Sequence, residues 1–155
     1  AARQGVDRFV FMSTTHVYGA QLQGIVTEKT PTVNTHPYAT SHLSGEREVA
    51  KRHQGGDFAG IVLRCANGFG VPMDPAVNIW HVLVNDLCNQ VAVDGSMTLR
   101  SSGLQERNFI PIADICSAIL HFLHIDAHRV GDGLFNPTRL CQQSPLRRRN
   151  TAGLS

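Results

Sequence analysis

Two short apolar runs on either side of a helical segment constrain the fold of this chain most strongly. The runs RFVFMST (8–14) and FAGIVLRCA (58–66) are rich in β-branched and aromatic residues, and each predicts a strand buried on both faces. Between them lie a polar loop with glycine and proline (17–37) and a helical pattern from Thr40 to about His53. Strand, helix and strand in this order favour a parallel sheet covered by helices, an α/β fold.

The sequence beyond Asn67 predicts a second set of shorter elements. In chain order they are a helix over 78–93, a strand over 96–102, a strand over 107–112, an amphipathic helix over 113–128 and a brief strand over 133–136. Asp114 is expected to cap the second of these helices rather than to act as an acid.

The charge of the chain is small and unevenly placed. The formal net charge is +2, yet residues 137–155 contain four arginines and no acid, so the preceding body is slightly acidic. A nucleic-acid-binding surface would need a basic patch on the folded body, so no nucleic-acid partner is expected. Residues 137–155 also lack periodicity and are expected to form a disordered basic tail.

Cysteine usage and hydropathy indicate the environment of the protein. The four cysteines are far apart and fall mostly in apolar runs, which predicts buried, reduced thiols in a cytoplasmic protein (Cys65, Cys88, Cys116, Cys141). No run has the apolar length of a membrane span, so no membrane partner is expected.

Polar side chains cluster where the predicted strands end. STTHVYG closes the first strand, PYATSH opens the next helix and LRCANGFG closes the second strand. In open parallel sheets, ligands bind beyond the carboxyl ends of the strands. Tyr38 and His42 are four residues apart and share one helix face, so they are either a catalytic pair or an aromatic and an imidazole that merely pack together.

These motifs, with RNFIPIADI later in the chain, resemble the extended short-chain dehydrogenase/reductase family, specifically its NAD-dependent nucleotide-sugar epimerases and dehydratases. The resemblance implies the C-terminal half of a Rossmann-type parallel-sheet domain with part of a small substrate-binding region. Residues 1–70 would form the second half of the NAD(P)-binding domain, and residues 71–136 the substrate-binding region with interleaved Rossmann elements. NAD or NADP would be the cofactor, a nucleotide sugar the substrate, and the parent protein a homodimer.

The resemblance also implies roles for single residues. Thr14 matches the family's catalytic Ser/Thr, and Tyr38 matches the catalytic tyrosine, a phenol that takes a proton from a sugar hydroxyl. Asn67 matches an asparagine near the substrate's diphosphate. Arg107 matches an arginine that pairs with this diphosphate, a role suited to a forked, permanent cation.

The sequence departs from the family pattern in three places. It contains no G-x-G-x-x-G turn for the dinucleotide, His42 occupies the position of the family's lysine, and RNF stands where an acid usually follows the arginine. The isolated chain is therefore expected to be inactive. A truncated or misread coding region would explain the pattern, and so would a non-catalytic sensor that keeps the fold and binds a nucleotide or a protein.

Three histidines at helical spacing could suggest a metal site (His121, His124, His128). No carboxylate or cysteine completes a recognisable ligand motif around them. A solvated or half-buried helix face is the preferred interpretation, and no metal is expected.

Overall fold

The computed structural model describes residues 5–19, 24–74, 76–103 and 107–137. The strands are β1 (Arg8–Thr14), β2 (Ala59–Cys65), β3 (Asn67–Phe69), β4 (Phe109–Pro111) and β5 (Leu134–Phe135). The α-helices are α1 (Pro37–Gln54), α2 (Leu83–Asp94) and α3 (Ile112–His124), and short 3-10 helices span Thr15–Tyr18 and Ala127–Arg129.

The strands form two parallel sheets, which confirms the predicted α/β class. The larger sheet has the order β1-β2-β5, and its β1–β2 register runs from Arg8 opposite Ala59 to Thr14 opposite Cys65. The smaller sheet pairs β3 with β4, and Asn67 lies opposite Phe109. Because the strands of each sheet are parallel, their carboxyl ends lie at the same edge, which is where ligands bind in such folds.

Strand β2 is covered by a helix on each face. Ile61 and Leu63 are fully buried in a cluster that includes Ile115 and Phe122 of α3. On the opposite face, α1 approaches so closely that a Cβ on Gly60 would lie 2.9 Å from Val49 Cγ1. Because successive side chains point to opposite faces and both faces are covered, β2 is apolar along its length except at Arg64.

Helix α1 begins and ends at residues suited to those positions. The Nδ1 atom of His36 accepts a hydrogen bond from the Tyr38 backbone N–H at 3.2 Å, and Pro37 occupies the first helical position. At the other end Gly56 has a φ of +75°, which glycine adopts without steric cost. The helix is therefore one turn longer at its start than the predicted range from Thr40.

Several predicted elements are wrong in place or in kind. Residues 96–103 contain neither strand nor helix, and the side chains of Met97 and Leu99 remain about half-exposed or more. An alternating pattern does not form a strand without a hydrogen-bonded neighbour. Helix α2 begins at Leu83 rather than at residue 78, because Asn78 Oδ1 accepts from the Trp80 N–H at 3.3 Å and so forms a turn.

Helix α3 is also shorter than predicted, and Asp114 is not its cap. The residue at the N-cap position is Pro111, whereas Asp114 lies within the first turn. A carboxylate there interacts favourably with the positive end of the helix dipole, which accounts for an acid at this position without a capping bond. The helix ends at His124, and residues 127–129 form a separate 3-10 turn.

The cysteines only partly match the prediction of buried thiols. Cys65 is buried, and burial raises the pKa of its thiol to about 11, whereas Cys88 and Cys116 are exposed. The two exposed thiols lie on helices α2 and α3, whose apolar runs do not place every residue inside. Cys141 and most of the predicted basic tail lie outside the described residues.

Among the described residues, no helix combines the length and the apolar character needed to cross a membrane.

Candidate active site

Thr14 is the last residue of β1 and begins the turn that leaves the sheet. Its side chain is 5 % exposed, and its Oγ1 accepts a hydrogen bond from the His16 backbone N–H at 3.2 Å. This bond caps the 3-10 helix Thr15–Tyr18. The hydroxyl is therefore held at the carboxyl edge of the larger sheet, as its position in the sequence predicts.

Tyr38 lies at the start of α1 and faces the same turn. Its side chain is 50 % exposed, and its ring lies edge-on to the His16 ring with centroids 6.1 Å apart. Because the His16 backbone is bonded to Thr14, this contact brings the start of α1 to the end of β1. The phenol thus lies beside this turn and remains accessible to solvent.

His42 lies one helical turn after Tyr38, and the two rings pack edge to face. Their centroids are 4.6 Å apart at an interplanar angle of 64°, and the centroids of the Phe11 and His42 rings are 6.0 Å apart. The Nδ1 of His42 is buried and has no hydrogen-bond partner among the described residues. Both interpretations of the pair remain compatible with this geometry, since packing and a shared ligand require the same face.

Asn67 and the segment carrying Arg107 meet in the smaller sheet. The backbone N–H and the side-chain Nδ2 of Asn67 both donate to the carbonyl oxygen of Asn108, at 3.2 and 3.0 Å. Arg107 is exposed and precedes Asn108 directly. Asn67 follows Cys65, the register partner of Thr14, by two residues. Thr14 thus ends β1, Asn67 begins β3 just after the end of β2, Arg107 lies two residues before β4, and Tyr38 and His42 lie in the first half of α1.

A buried polar network beside this site was not predicted from the sequence. Glu46 of α1 accepts hydrogen bonds from Arg64 Nε at 2.9 Å and from Arg64 Nη2 at 2.5 Å, and it also accepts one from the Ser13 hydroxyl. Arg64 Nη1 donates to the Tyr18 hydroxyl at 2.9 Å, and that hydroxyl donates to Asn136 Oδ1 at 2.8 Å. The network therefore joins β1, α1, β2 and the end of β5.

The Arg64 guanidinium keeps its charge in this buried setting. Burial acts to lower the pKa of Arg64, but its hydrogen bonds to Glu46 and Tyr18 outweigh that effect, and the pKa is raised above the ordinary value. The guanidinium also lies over the Tyr18 ring, 4.8 Å from its centroid. One signal in the sequence points to such a partner: Arg64 is a single charge inside an apolar strand, and buried charges are paired.

Within the described part of the chain, no three or more His, Cys, Asp or Glu side chains are grouped so that they could hold a metal ion. His124 instead uses Nδ1 to bond the carbonyl oxygen of Leu120, at 2.7 Å, within its own helix.

Comparison with known proteins establishes the family. The sequence profile of the NAD-dependent epimerase/dehydratase family matches residues 1–136. The chain belongs to this family. The resemblance carried by the short motifs is thereby confirmed. A curated relative, dTDP-D-glucose 4,6-dehydratase of Mus musculus, is 29 % identical over 123 residues, which cover 79 % of this chain and 33 % of the relative.

Solved structures agree with this assignment. The chain is similar to UDP-glucuronic acid 4-epimerase from Bacillus cereus in complex with UDP-glucuronic acid and NAD, with 27 % identity, a TM-score of 0.62, and coverage of 77 % of this chain and 36 % of that one. It is equally similar to the NAD-bound dTDP-glucose 4,6-dehydratase from Streptomyces venezuelae, with 27 % identity, a TM-score of 0.62, and coverage of 79 % and 37 %. The fold is thus a partial Rossmann-like fold, and the chain spans about a third of the length of the relatives it matches.

Proposed function

We propose that this chain forms the proton-transfer part of an NAD(P)-dependent nucleotide-sugar epimerase, dehydratase or reductase. The observation that carries the proposal is the placement of Thr14 and Tyr38. The His16 residue is bonded to Thr14 through its backbone and contacts Tyr38 through its ring. A hydroxyl and a phenol, contributed by different elements, therefore stand beside one turn at the ligand-binding edge of a parallel sheet.

The two side chains have distinct tasks in this proposal. Tyr38 takes the proton of a sugar hydroxyl at its phenol oxygen, a task that needs the solvent access its half-exposed side chain has. Thr14 orients the same sugar hydroxyl by a hydrogen bond from a buried, immobile position. The nicotinamide cofactor, when bound, supplies the hydride acceptor.

The residues present fit the nicotinamide end of such a cofactor. His42 stands at the position of the family's lysine, next to Tyr38, and its buried Nδ1 lacks a partner among the described residues. By contrast, this sequence contains no glycine-rich turn that could hold the pyrophosphate next to the adenosine end. We assign residues 1–70 to the cofactor-binding half because they contain Tyr38 and His42.

Asn67 and Arg107 belong to the substrate side in this proposal. Residues 71–136 would form the substrate-binding region, and a UDP- or dTDP-linked sugar would be the substrate by analogy with the relatives named above. A forked guanidinium binds a diphosphate through paired hydrogen bonds, and Asn67 holds the neighbouring strand segment through Asn108. A homodimer of the parent protein, as in the family, completes the proposal.

The test is turnover of UDP-glucose and dTDP-glucose by the full-length gene product with NAD, with products identified by NMR. We expect Tyr38→Phe to lower turnover by about 10²-fold or more, because it removes the proton acceptor and leaves the ring. Thr14→Val should also lower it, whereas Thr14→Ser keeps the hydroxyl and should lose far less. Turnover that survives Tyr38→Phe would contradict the proposal.

A second candidate is a non-catalytic protein that binds a nucleotide or another protein through the same fold. The observation that favours it is the imidazole of His42, which replaces a permanent cation beside the tyrosine. Nucleotide-sugar binding without turnover in the same experiment would support this alternative.

A further inference from the structure

Glu46 and Arg64 form a buried ion pair whose contribution to stability alone does not explain its presence. Both side chains are less than a tenth exposed, and the guanidinium contacts both carboxylate oxygens. Removing two charges from water is costly, and well-packed apolar side chains of similar volume are often as stabilising as such a pair. What the pair adds beyond apolar packing is direction, because its hydrogen bonds fix both partners in one relative geometry.

Ser13 and Glu46 lie on the two elements that carry the proposed catalytic residues, and Arg64 lies on β2, which pairs with β1. Ser13, whose hydroxyl donates to Glu46, is the residue before Thr14. Glu46 lies on α1 two turns after Tyr38, and eight residues of helix span about 12 Å. Arg64 is the register partner of Ser13 in the sheet. The network therefore connects the two ends of the proposed site through rigid elements.

The contact between α1 and β1 also includes an apolar packing point at Gly45. Gly45 lies against the Phe11 ring, so close that a Cβ would be 2.5 Å from Phe11 Cζ. This close packing holds α1 against the strand at one point. Directional bonds add to it at two places on the helix. Near its end, His53 Nδ1 accepts from the Gly60 backbone N–H at 3.2 Å. Glu46, which lies seven residues closer to Tyr38, bonds Arg64 and Ser13.

We propose that Ser13, Glu46 and Arg64 form a positioning network that fixes the axial position of α1 on the sheet, and hence the placement of Tyr38 relative to Thr14. The geometric part of this proposal stands on the structure alone, and its effect on a reaction rests on the proposed function. A misplacement of about 1 Å is enough to lower a rate about 10²-fold.

The test replaces the ion pair and reports on Tyr38. The chain has two tyrosines, so 3-fluorotyrosine labelling of the purified chain gives two ¹⁹F resonances, and Tyr18→Phe identifies them. We expect the Glu46→Leu/Arg64→Met double variant to stay folded, with the Tyr38 resonance shifted or broadened. The matched control is Glu48→Leu/Arg52→Met, which removes the exposed ion pairs that Arg52 of the same helix makes with Glu48 and Asp57 and should leave that resonance unchanged.

An unchanged Tyr38 resonance in the folded double variant would overturn the proposal, and so would an equal change in the control. If the double variant does not fold, Ser13→Ala, which deletes one hydrogen bond, is judged by the same criteria. In the full-length gene product, the double variant should lower kcat about tenfold or more with KM little changed. An inactive wild type would refute the proposed function while the resonance still decides the positioning role.

Discussion

At position 42 this chain has an imidazole where the family's proton-transfer motif has an ammonium. The imidazole packs edge to face against the Tyr38 ring and lies near Phe11, so the substituted position adjoins the proposed proton acceptor. Histidine side chains in general change charge near neutral pH, whereas lysine carries a constant positive charge there. The proposed proton acceptor is therefore expected to receive less electrostatic support here than in its relatives.

Restoring the cation should restore this support. A unit charge about 5 Å from a developing phenolate, at an effective dielectric constant near 20, is worth roughly 3 kcal/mol. We expect His42→Lys to raise the turnover of the full-length gene product by about tenfold or more, and Tyr38→Phe in the same background to abolish the gain. Steady-state rates on a nucleotide sugar between about pH 6 and 9 are the measurement.

The matched control is His124→Lys, which introduces the same charge on α3, away from the proposed site. A flat or reduced rate in His42→Lys, together with a harmless Tyr38→Phe, would mean that the two rings are packed together for structural reasons alone.

The strands and helices that are easiest to predict from the sequence are those that form because of their own residues and not because of a distant partner. Strand β1 was predicted with its observed bounds, but its predicted burial is only partly correct, because Ser13 and Thr14 are buried whereas Met12 is 37 % exposed and the residues before it are partly exposed. The strand predicted at 96–102 failed, because its existence depends on a neighbour that the sequence does not reveal. The same holds for Glu46 and Arg64, which are 18 residues apart and meet only once α1 packs on β2.

Two glycines in the turn before β5 allow the backbone strain and the steric collision caused by a glycine-to-alanine substitution to be measured separately. Gly131 and Gly133 both have positive φ, +63° and +76°, so alanine at either position costs about 1–2 kcal/mol in backbone strain. A Cβ on Gly131 meets nothing within 4 Å, whereas one on Gly133 would collide with the carbonyl oxygen of Gly60.

We therefore expect Gly133→Ala to reduce the free energy of unfolding by at least about 2 kcal/mol more than Gly131→Ala. Urea titration of both variants, followed by circular dichroism, measures the difference. Equal losses would show that the turn can move away from β2 at no cost.

The described residues include the proposed proton-transfer groups but no glycine-rich turn for a dinucleotide. The chain spans about a third of the length of its relatives. Apolar side chains on α3 are also left partly uncovered, among them Leu120 at 58 % and Leu123 at 41 %. Together with Ile112 of the same helix, these residues form an exposed apolar surface of the kind that usually contacts another protein segment.

The purified 155-residue chain should accordingly bind NAD only weakly. The pyrophosphate of a dinucleotide is held by backbone N–H groups and a helix N-terminus after a glycine-rich turn, and neither is supplied by this sequence. We expect isothermal titration to give a Kd no tighter than roughly millimolar. A full-length relative titrated in the same buffer is the control, and a micromolar Kd for the chain would mean that the cofactor site lies elsewhere than proposed.

The parallel register of the larger sheet has a consequence for the order of folding. Arg8 pairs with Ala59, about 50 residues away, and Val62 pairs with Leu134, about 70 residues away, so both strand pairs close long loops. Helix α1 has only local bonds to form and can be in place microseconds after folding begins, whereas the sheet must wait for rare long-range encounters. The strand ends that carry Thr14 and Cys65 then align only in the late steps, and the proposed active site is among the last parts of the molecule to exist.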